Sequence, residues 1–263
     1  MGTILDRIIE QKKQELPILQ ETRPNLPPIL EDRKSFIRKL EKAEEISIIA
    51  EFKRASPSKG IINQALTPAE QARQYERSGA SAISVLTDQT FFQGAFSDLK
   101  SVREAVELPI LCKDFMIDSV QIDHAAANGA DIILLIVAAL DENKLMQLYQ
   151  YATSLGLEVL VEVHNLEELQ TALKLGVKLI GVNNRDLKTF NVSLEVTENL
   201  AALVKESGAF LISESGIHSI EDVDRVRKAG ANGILVGEAL MVSTDVNQSL
   251  VNFRLPLARG VEQ

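Results

Sequence analysis

Glu51, Lys53, Lys113, Glu162, Asn183 and Glu214 each close, or nearly close, a short apolar run, an unusual place for charge or amide. The runs are Ile48–Lys53, Ala82–Asp88, Pro109–Asp114, Asp131–Val137, Glu158–Val163, Leu179–Arg185, Phe210–Ser215 and Gly233–Glu238. A parallel strand buried on both faces reads as a near-continuous hydrophobic run. Charges at its carboxyl end therefore cost stability unless they face a polar site. Only Asp131–Val137 ends apolar. Residues two apart share a strand face, so Glu51 and Lys53 point the same way. If all six point inward, two lysines, three carboxylates and an amide converge on one mouth. Alone, each Lys or Glu reads more readily as a solvated rim residue. Jointly the ring reads as an acid/base site, because opposed charges in low polarity partner one another and shift their proton affinities.

Two further segments suit an anion. Ser213-Glu214-Ser215-Gly216-Ile217 and Leu235-Val236-Gly237-Glu238-Ala239 are small, glycine-containing turns after the last two runs. Backbone N–H groups in such turns hold phosphate in (β/α)8 barrels, although either segment alone also reads as a simple tight turn. Arg54-Ala55-Ser56-Pro57-Ser58-Lys59-Gly60 is a basic loop that reads either as an exposed crossover or as a closing loop with Ser56 and Lys59 near the ligand. Phe92 and Phe115 suit the flanks of an aromatic ring, or burial against neighbouring helices. His124, His164 and His218 lack metal-ligand spacing and read as structural or surface residues, so no metal is expected. Cys112 is expected to point away from Lys113 as an inert packed thiol.

The elements that must position these groups alternate. Thr67-Pro68-Ala69-Glu70 carries an N-cap, a first-turn proline and a capping-box glutamate, and this helix stops at Gly79. Similar starts are expected at Ser97, Asp118, Asp141, Asn165 and Ser219, with a vaguer one after Ser193. Gly129, Gly156, Gly176, Gly208 and Gly230 stand where left-handed C-caps are wanted. Strand starts recur roughly every 20 to 35 residues, the length of a βαβ unit. Eight right-handed units close most naturally into an α/β fold, a single (β/α)8 TIM barrel spanning 48–263. An open doubly wound sheet is disfavoured because no Gly-x-Gly-x-x-Gly turn follows the first strand. Residues 1–47 form an N-terminal helical extension. Ile4, Leu5, Ile8, Ile9 and Leu16 make a helical apolar stripe, then a proline-containing connection (Pro24 to Pro28) leads to a short helix near Ser35–Glu45. The extension reads as a plug at the barrel's end or a lid over the ligand.

Bulk properties narrow the function classes. With 263 residues, 45% hydrophobic and 25% charged, the chain has an ordinary globular composition and the length of one α/β barrel. A net charge of −9 argues against nucleic-acid binding. A single cysteine forms no intrachain disulfide, in keeping with a reducing compartment. Met1–Leu16 is charged throughout, so no signal peptide is expected. Ile132–Leu140 is too short to cross a bilayer, which takes about 20 residues. A cytoplasmic protein with no membrane partner is expected.

The segments IIAEFKRASPSKG, ISVLTDQTFFQG, ILCKDFMID, VLVEVH, GVNNRDLKTF, LISESGI and ILVGEALM together resemble, in order and spacing, the indole-3-glycerol-phosphate synthases. The resemblance runs from the N-terminal helix to the last strand; SESGI and VGEALM alone would indicate only a phosphate-binding barrel. It implies a single barrel with an N-terminal helical segment, no cofactor, and the substrate 1-(2-carboxyphenylamino)-1-deoxyribulose 5-phosphate. That compound is closed to indole-3-glycerol phosphate with release of CO2 and water, a step of tryptophan biosynthesis. The resemblance makes Lys113 the general acid at the ketone and Glu162 the second acid/base. Lys53 and Glu51 position substrate, with Asn183, Ser215 and Glu214 as further catalytic-site groups. It places phosphate on Ser215, Gly216, Gly237 and Glu238, and lines the rest of the pocket with Arg185, Ser56, Phe92, Phe115 and Leu134. A monomer with a small phosphorylated substrate is expected. Phosphoribosylanthranilate isomerase, which shares the phosphate end, needs less acid/base equipment, and a silent ligand-binding barrel would not need Lys113 and Glu162.

Overall fold

The computed structural model describes residues 2–26, 33–56, 60–61 and 67–257. Eight parallel strands close a barrel: β1 Ser47–Phe52, β2 Ala82–Leu86, β3 Ile110–Lys113, β4 Ile132–Ile136, β5 Glu158–Val163, β6 Leu179–Asn183, β7 Phe210–Glu214 and β8 Gly233–Val236. Each pairs with its neighbours in chain order, and β1 closes on β8 from Ser47↔Gly233 to Ala50↔Val236. The fold is the expected (β/α)8 barrel.

Strand parity sorts the core into two clusters. Ile49, Leu111, Leu134, Leu160, Leu179, Ile212 and Leu235 fill the barrel interior. The alternate residues, Ile48, Ile83, Ile110, Cys112, Ile133, Val161, Ile180 and Ile234 among them, pack outward beneath the helices. Cys112 is fully buried on that outer side, where burial pushes its thiol up, as expected of an inert core residue. The five later helix-terminating glycines all adopt positive φ. Thr67 caps the helix Pro68–Arg77 as anticipated.

One expected start is corrected. The helix Phe96–Arg103 begins before Ser97, capped by Ala95 in an extended conformation without a side-chain bond. Asp98 in its first turn pairs instead with Arg54, whose guanidinium also lies 5.1 Å from the Phe52 ring centroid. The segment after Ser193 gives Glu195–Glu206, again without a side-chain cap, in keeping with its weak start signal.

The extension divides between the lid and plug roles. Helix α1, Ile4–Glu21, lies across the mouth, where Ile4, Leu5 and Ile8 line the central cavity. Helix α2, Phe36–Glu41, closes the other end: Phe36 and Leu40 join the interior cluster. Glu158, at the amino end of β5, accepts the Phe36 and Ile37 N–H groups at 2.9 and 3.1 Å and the Ser35 hydroxyl. A carboxylate at a helix N-terminus satisfies donors that have no partner within the helix.

Candidate active site

The six polar strand-end residues meet at the carboxyl mouth. Lys113 Nζ lies 2.8 Å from Glu214 Oε2 and 3.2 Å from Glu162 Oε2. Asn183 Nδ2 donates to Glu162 Oε1 at 3.0 Å. Lys53 Nζ donates to Glu51 Oε1 at 2.8 Å, and Ser84 Oγ reaches Glu51 Oε2 at 3.4 Å. All three carboxylates are buried, and both lysines are only partly exposed. Among the lining residues, Lys53, Lys113, Glu162, Asn183, Arg185, Ser215 and Glu238 supply polar groups.

Burial and pairing push these groups apart in proton affinity. Burial opposes the charge on Lys113, but Glu214, Glu162 and Glu51 overcome it and hold the ammonium well above its ordinary range. Burial also opposes ionisation of Glu162; Lys113, His164 and Asn183 win, keeping it ionised. Glu214 goes the other way. Burial, with Glu162 and Glu51 adding repulsion, pushes it up to about 7 against the pull of Lys113. Its Oε1 is buried without a hydrogen-bond partner among the described residues, which adds to the cost of ionising this carboxyl. An ionised and a protonatable carboxylate around one ammonium are the components of general acid/base chemistry.

Two glycines make room for these carboxylates. A Cβ on Gly181 would lie 2.1 Å from Glu214 Oε1, and one on Gly237 2.6 Å from Glu51 Oε1. Gly181→Ala is expected to lower stability by about 1–3 kcal/mol through overpacking. Urea midpoints test this, and Glu214→Ala in the same chain should recover most of the loss.

The apolar side of the mouth differs in detail from the sequence expectation. Phe92 and Phe115 both line the cavity but touch each other, centroids 6.0 Å apart, making one continuous wall instead of two faces flanking a ring. Leu134 lies on the floor. Leu187 and Phe190, beyond Arg185, were not anticipated; Phe190 adopts φ 61, and its carbonyl accepts from Arg185 Nη1 at 3.4 Å. Ser215 also has positive φ, 64, with Gly216 beside it at 83. Asn184, buried behind them, donates to the carbonyls of Glu214 and Ser215, each at 3.0 Å. Gly216 and Gly237 sit next to the lining residues Ser215 and Glu238. The Ser56 side chain and Lys59 lie outside the described residues.

Sequence reasoning missed two groups. Lys12 of α1 is buried, 2.8 Å from both Asp88 and Asp114. His164, read as structural or surface, stands 3.2 Å from Glu162. Parity could have found His164, because it lies two residues beyond Glu162 along the chain that leaves β5. Among the described residues no cluster of three or more His, Cys, Asp or Glu is arranged to hold a metal ion. None of the described helices is long and apolar enough to cross a membrane.

Comparison with known proteins gives this geometry its family. The model of the indole-3-glycerol phosphate synthase family matches residues 5–253. The chain belongs to the indole-3-glycerol phosphate synthase family. Curated relatives of that name include one from Bacillus thuringiensis subsp. konkukian (strain 97-27), 54% identical over 248 residues that cover 94% of this chain and 96% of the relative. Another, from Bacillus cereus (strain G9842), is 53% identical over 247 residues with the same coverage. As a member of this synthase family, the chain is a carboxy-lyase of tryptophan biosynthesis that forms indole-3-glycerol phosphate. Solved structures of lower identity share the fold alone. An N-acetylmannosamine-6-phosphate 2-epimerase from Clostridium perfringens superposes with TM-score 0.61 at 18% identity, covering 76% of this chain and 90% of its own. A thiamine phosphate pyrophosphorylase from Pyrococcus furiosus gives 0.61 at 21%, covering 83% and 96%.

Proposed function

We propose that Lys113 and Glu162 carry the proton transfers by which 1-(2-carboxyphenylamino)-1-deoxyribulose 5-phosphate becomes indole-3-glycerol phosphate, CO2 and water. The ring carbon that bears the carboxylate is activated by the neighbouring arylamine, so attack on the ketone needs only an acid at the ketone oxygen. Lys113, held as ammonium by two carboxylates, supplies that proton. Loss of CO2 leaves its electron pair in the ring and restores the benzene system. The new hydroxyl then departs as water with a second proton, delivered by Glu162, which is ionised in the resting site and first takes that proton up from Glu214 through the Lys113 ammonium they share. A base removes the proton on the adjacent carbon to complete the indole. Glu214, which titrates near 7, shares the Lys113 ammonium and exchanges protons with it.

Glu51 and Lys53 position the substrate, and Asn183 fixes Glu162 through its amide. Phosphate rests on the backbone at Ser215, Gly216, Gly237 and Glu238, where positive φ at Ser215 and Gly216 turns the chain over the mouth. Arg185 takes the substrate carboxylate, while Phe92, Phe115 and Leu134 face the ring, with Ser56 on the loop after β1. Holding both anionic ends brings the reacting carbons together, which is worth several kcal/mol of barrier in reactions of this kind.

The reading treats extension 1–47 and barrel 48–263 as one functional domain, because α1 supplies Ile4, Leu5 and Ile8 to the cavity. It also treats the chain as a monomer in the cytoplasm. The single observation that carries the reading is the Lys113 ammonium bridging Glu162 and Glu214 at one mouth. Supplying the carboxyphenylamino-deoxyribulose phosphate to folded protein should produce indole fluorescence and CO2 in equal amounts. Well-folded protein yielding neither would overturn the reading.

A further inference from the structure

His164 directly follows β5 and is 11% exposed. Its Nδ1 lies 3.0 Å from Glu168 Oε2, and its Nε2 lies 3.2 Å from Glu162 Oε1. Glu168, on the helix Leu166–Lys174, is itself fixed: it accepts the His164 backbone N–H at 2.8 Å and the Asn165 amide at 2.7 Å. A neutral imidazole has one donor and one acceptor nitrogen. Here each nitrogen faces a carboxylate, so a neutral ring would turn a lone pair toward an anion. The doubly protonated ring is the one that fits.

The electrostatics agree. Burial works against the charge, but Glu162 and Glu168 overcome it and hold the imidazolium up to about 10. The Nε2 contact is close but oblique, an ion pair lacking the alignment of a hydrogen bond. Glu162 is therefore held on three sides, by Lys113 at Oε2 and by Asn183 and His164 at Oε1.

His164 also borders a second cavity, which adjoins the mouth and shares Leu5, Asn183, Arg185 and Leu187 with it. Asp6 from α1 and Asp186 and Lys188 from the loop after β6 are the other charged groups facing that cavity, with Glu168 and Arg185.

We propose that His164 is a cationic positioning residue for the synthase reaction: clamped by Glu168, it holds the Glu162 carboxylate in its working orientation and charge, and it is reached from the second cavity. The proposal rests on the acid/base reading of Glu162. It acts through Glu162, without touching substrate.

The test compares His164→Asn, Glu168→Gln and His164→Gly by steady-state kinetics against pH. Asparagine keeps a donor and loses the charge. His164→Asn should lower kcat about 10- to 100-fold, the value of a hydrogen bond or contact to a charged group, with KM within about threefold of the parent. Glu168→Gln removes one of the two anions that hold the ring protonated, so the alkaline fall in kcat should move from near 10 toward neutrality. His164→Gly should regain activity with added imidazole at neutral pH and not at pH values where imidazole is uncharged. Parent-like kcat and pH profile in His164→Asn would overturn the proposal. So would a kcat loss in which the alkaline limb stays put in Glu168→Gln and imidazole rescues nothing, because that pattern marks a merely structural histidine. Glu162→Gln, assayed alongside, separates the two levels: if it keeps full turnover, the acid/base reading of Glu162 itself fails; if it is inactive while His164→Asn is not, only the positioning role fails.

Discussion

Lys113→Met should lower kcat by about 10²- to 10⁴-fold, the range of a positioned general acid, while substrate still binds. The methionine fills nearly the same volume, so the barrel interior beneath it stays packed. What disappears is the one ammonium shared by Glu162 and Glu214. In the proposed mechanism the ketone oxygen then has no acid facing it, and the ring-closing step loses its proton. The Ser215–Gly216 turn proposed to hold phosphate and the apolar wall of Phe92 and Phe115 are untouched. Single-turnover fluorescence with a separate binding titration distinguishes the outcomes. A variant that retains turnover within threefold of the parent would remove Lys113 from the chemistry.

The same substitution has a stability signature whose sign follows from the two carboxylates. Glu214 titrates near 7 in the folded chain, above the ordinary carboxylate range, so the folded state binds its proton more tightly than the unfolded state. Stability from this group is therefore full at low pH and lost as pH rises toward about 7. Glu162 is depressed, so its contribution is present above the ordinary carboxylate range and is lost as pH falls. In the parent chain the two act in separate windows, Glu162 below the ordinary carboxylate range and Glu214 from that range up to about 7. Without Lys113 the largest attraction on each carboxylate is gone, so Glu214 is pushed further up, while Glu162, still beside His164 and Asn183, is depressed less. Urea denaturation of the variant should show a steeper loss of stability between about pH 5 and 8 than the parent, in which Lys113 holds Glu214 lower.

Much of this site was legible in the chain because strand periodicity ties sequence to direction. Glu51, Lys113, Glu162, Asn183 and Glu214 occupy the same parity as Ile49, Leu111, Leu160, Leu179 and Ile212, which fill the interior. An apolar run ending in charge therefore announced both a strand and its inward face. The barrel was legible for a related reason: helix-ending glycines recur between the runs, and each takes positive φ. Ser97 misled because a serine before an amphipathic segment imitates a cap, whereas Phe96 and the Asp98–Arg54 pair set where that helix begins. His164 escaped because it was weighed as a metal ligand and not as a neighbour of Glu162. The division of the extension between mouth and base could not be read at all. It depends on Glu158 capping α2 at one end of the barrel and on an ion cluster at the other, both tertiary.

That second cluster carries the other large expected effect. Lys12 sits in α1 between flanking charged and polar residues, so in sequence it looks like a solvated helix face. In the fold it is 2% exposed, with Asp88 Oδ2 and Asp114 Oδ1 each at 2.8 Å and Glu15 Oε2 at 3.0 Å. Burial opposes its charge, and Asp114 and Asp88 overcome it, holding the ammonium above its ordinary range. Both aspartates organise the apolar wall. Asp88 caps the turn that carries Phe92, accepting its N–H at 3.2 Å, and Asp114 accepts the Phe115 N–H at 2.8 Å and the Thr87 hydroxyl at 2.7 Å. Lys12 thus ties the lid helix to the two loops that carry Phe92 and Phe115. Lys12→Met leaves buried carboxylates without their cation, at a cost of about 3–5 kcal/mol. The loss falls first on the docking of α1, because the closed barrel keeps its own strand pairing and interior cluster. Expected results are an early proteolytic cut within α1 and a KM at least tenfold higher as Ile4, Leu5 and Ile8 leave the cavity wall. Adding Asp88→Asn and Asp114→Asn preserves the acceptor oxygens while removing the stranded charge, and should restore much of the lost protection. If Lys12→Met alone leaves KM and the cleavage pattern of α1 unchanged, the cluster does not hold the lid.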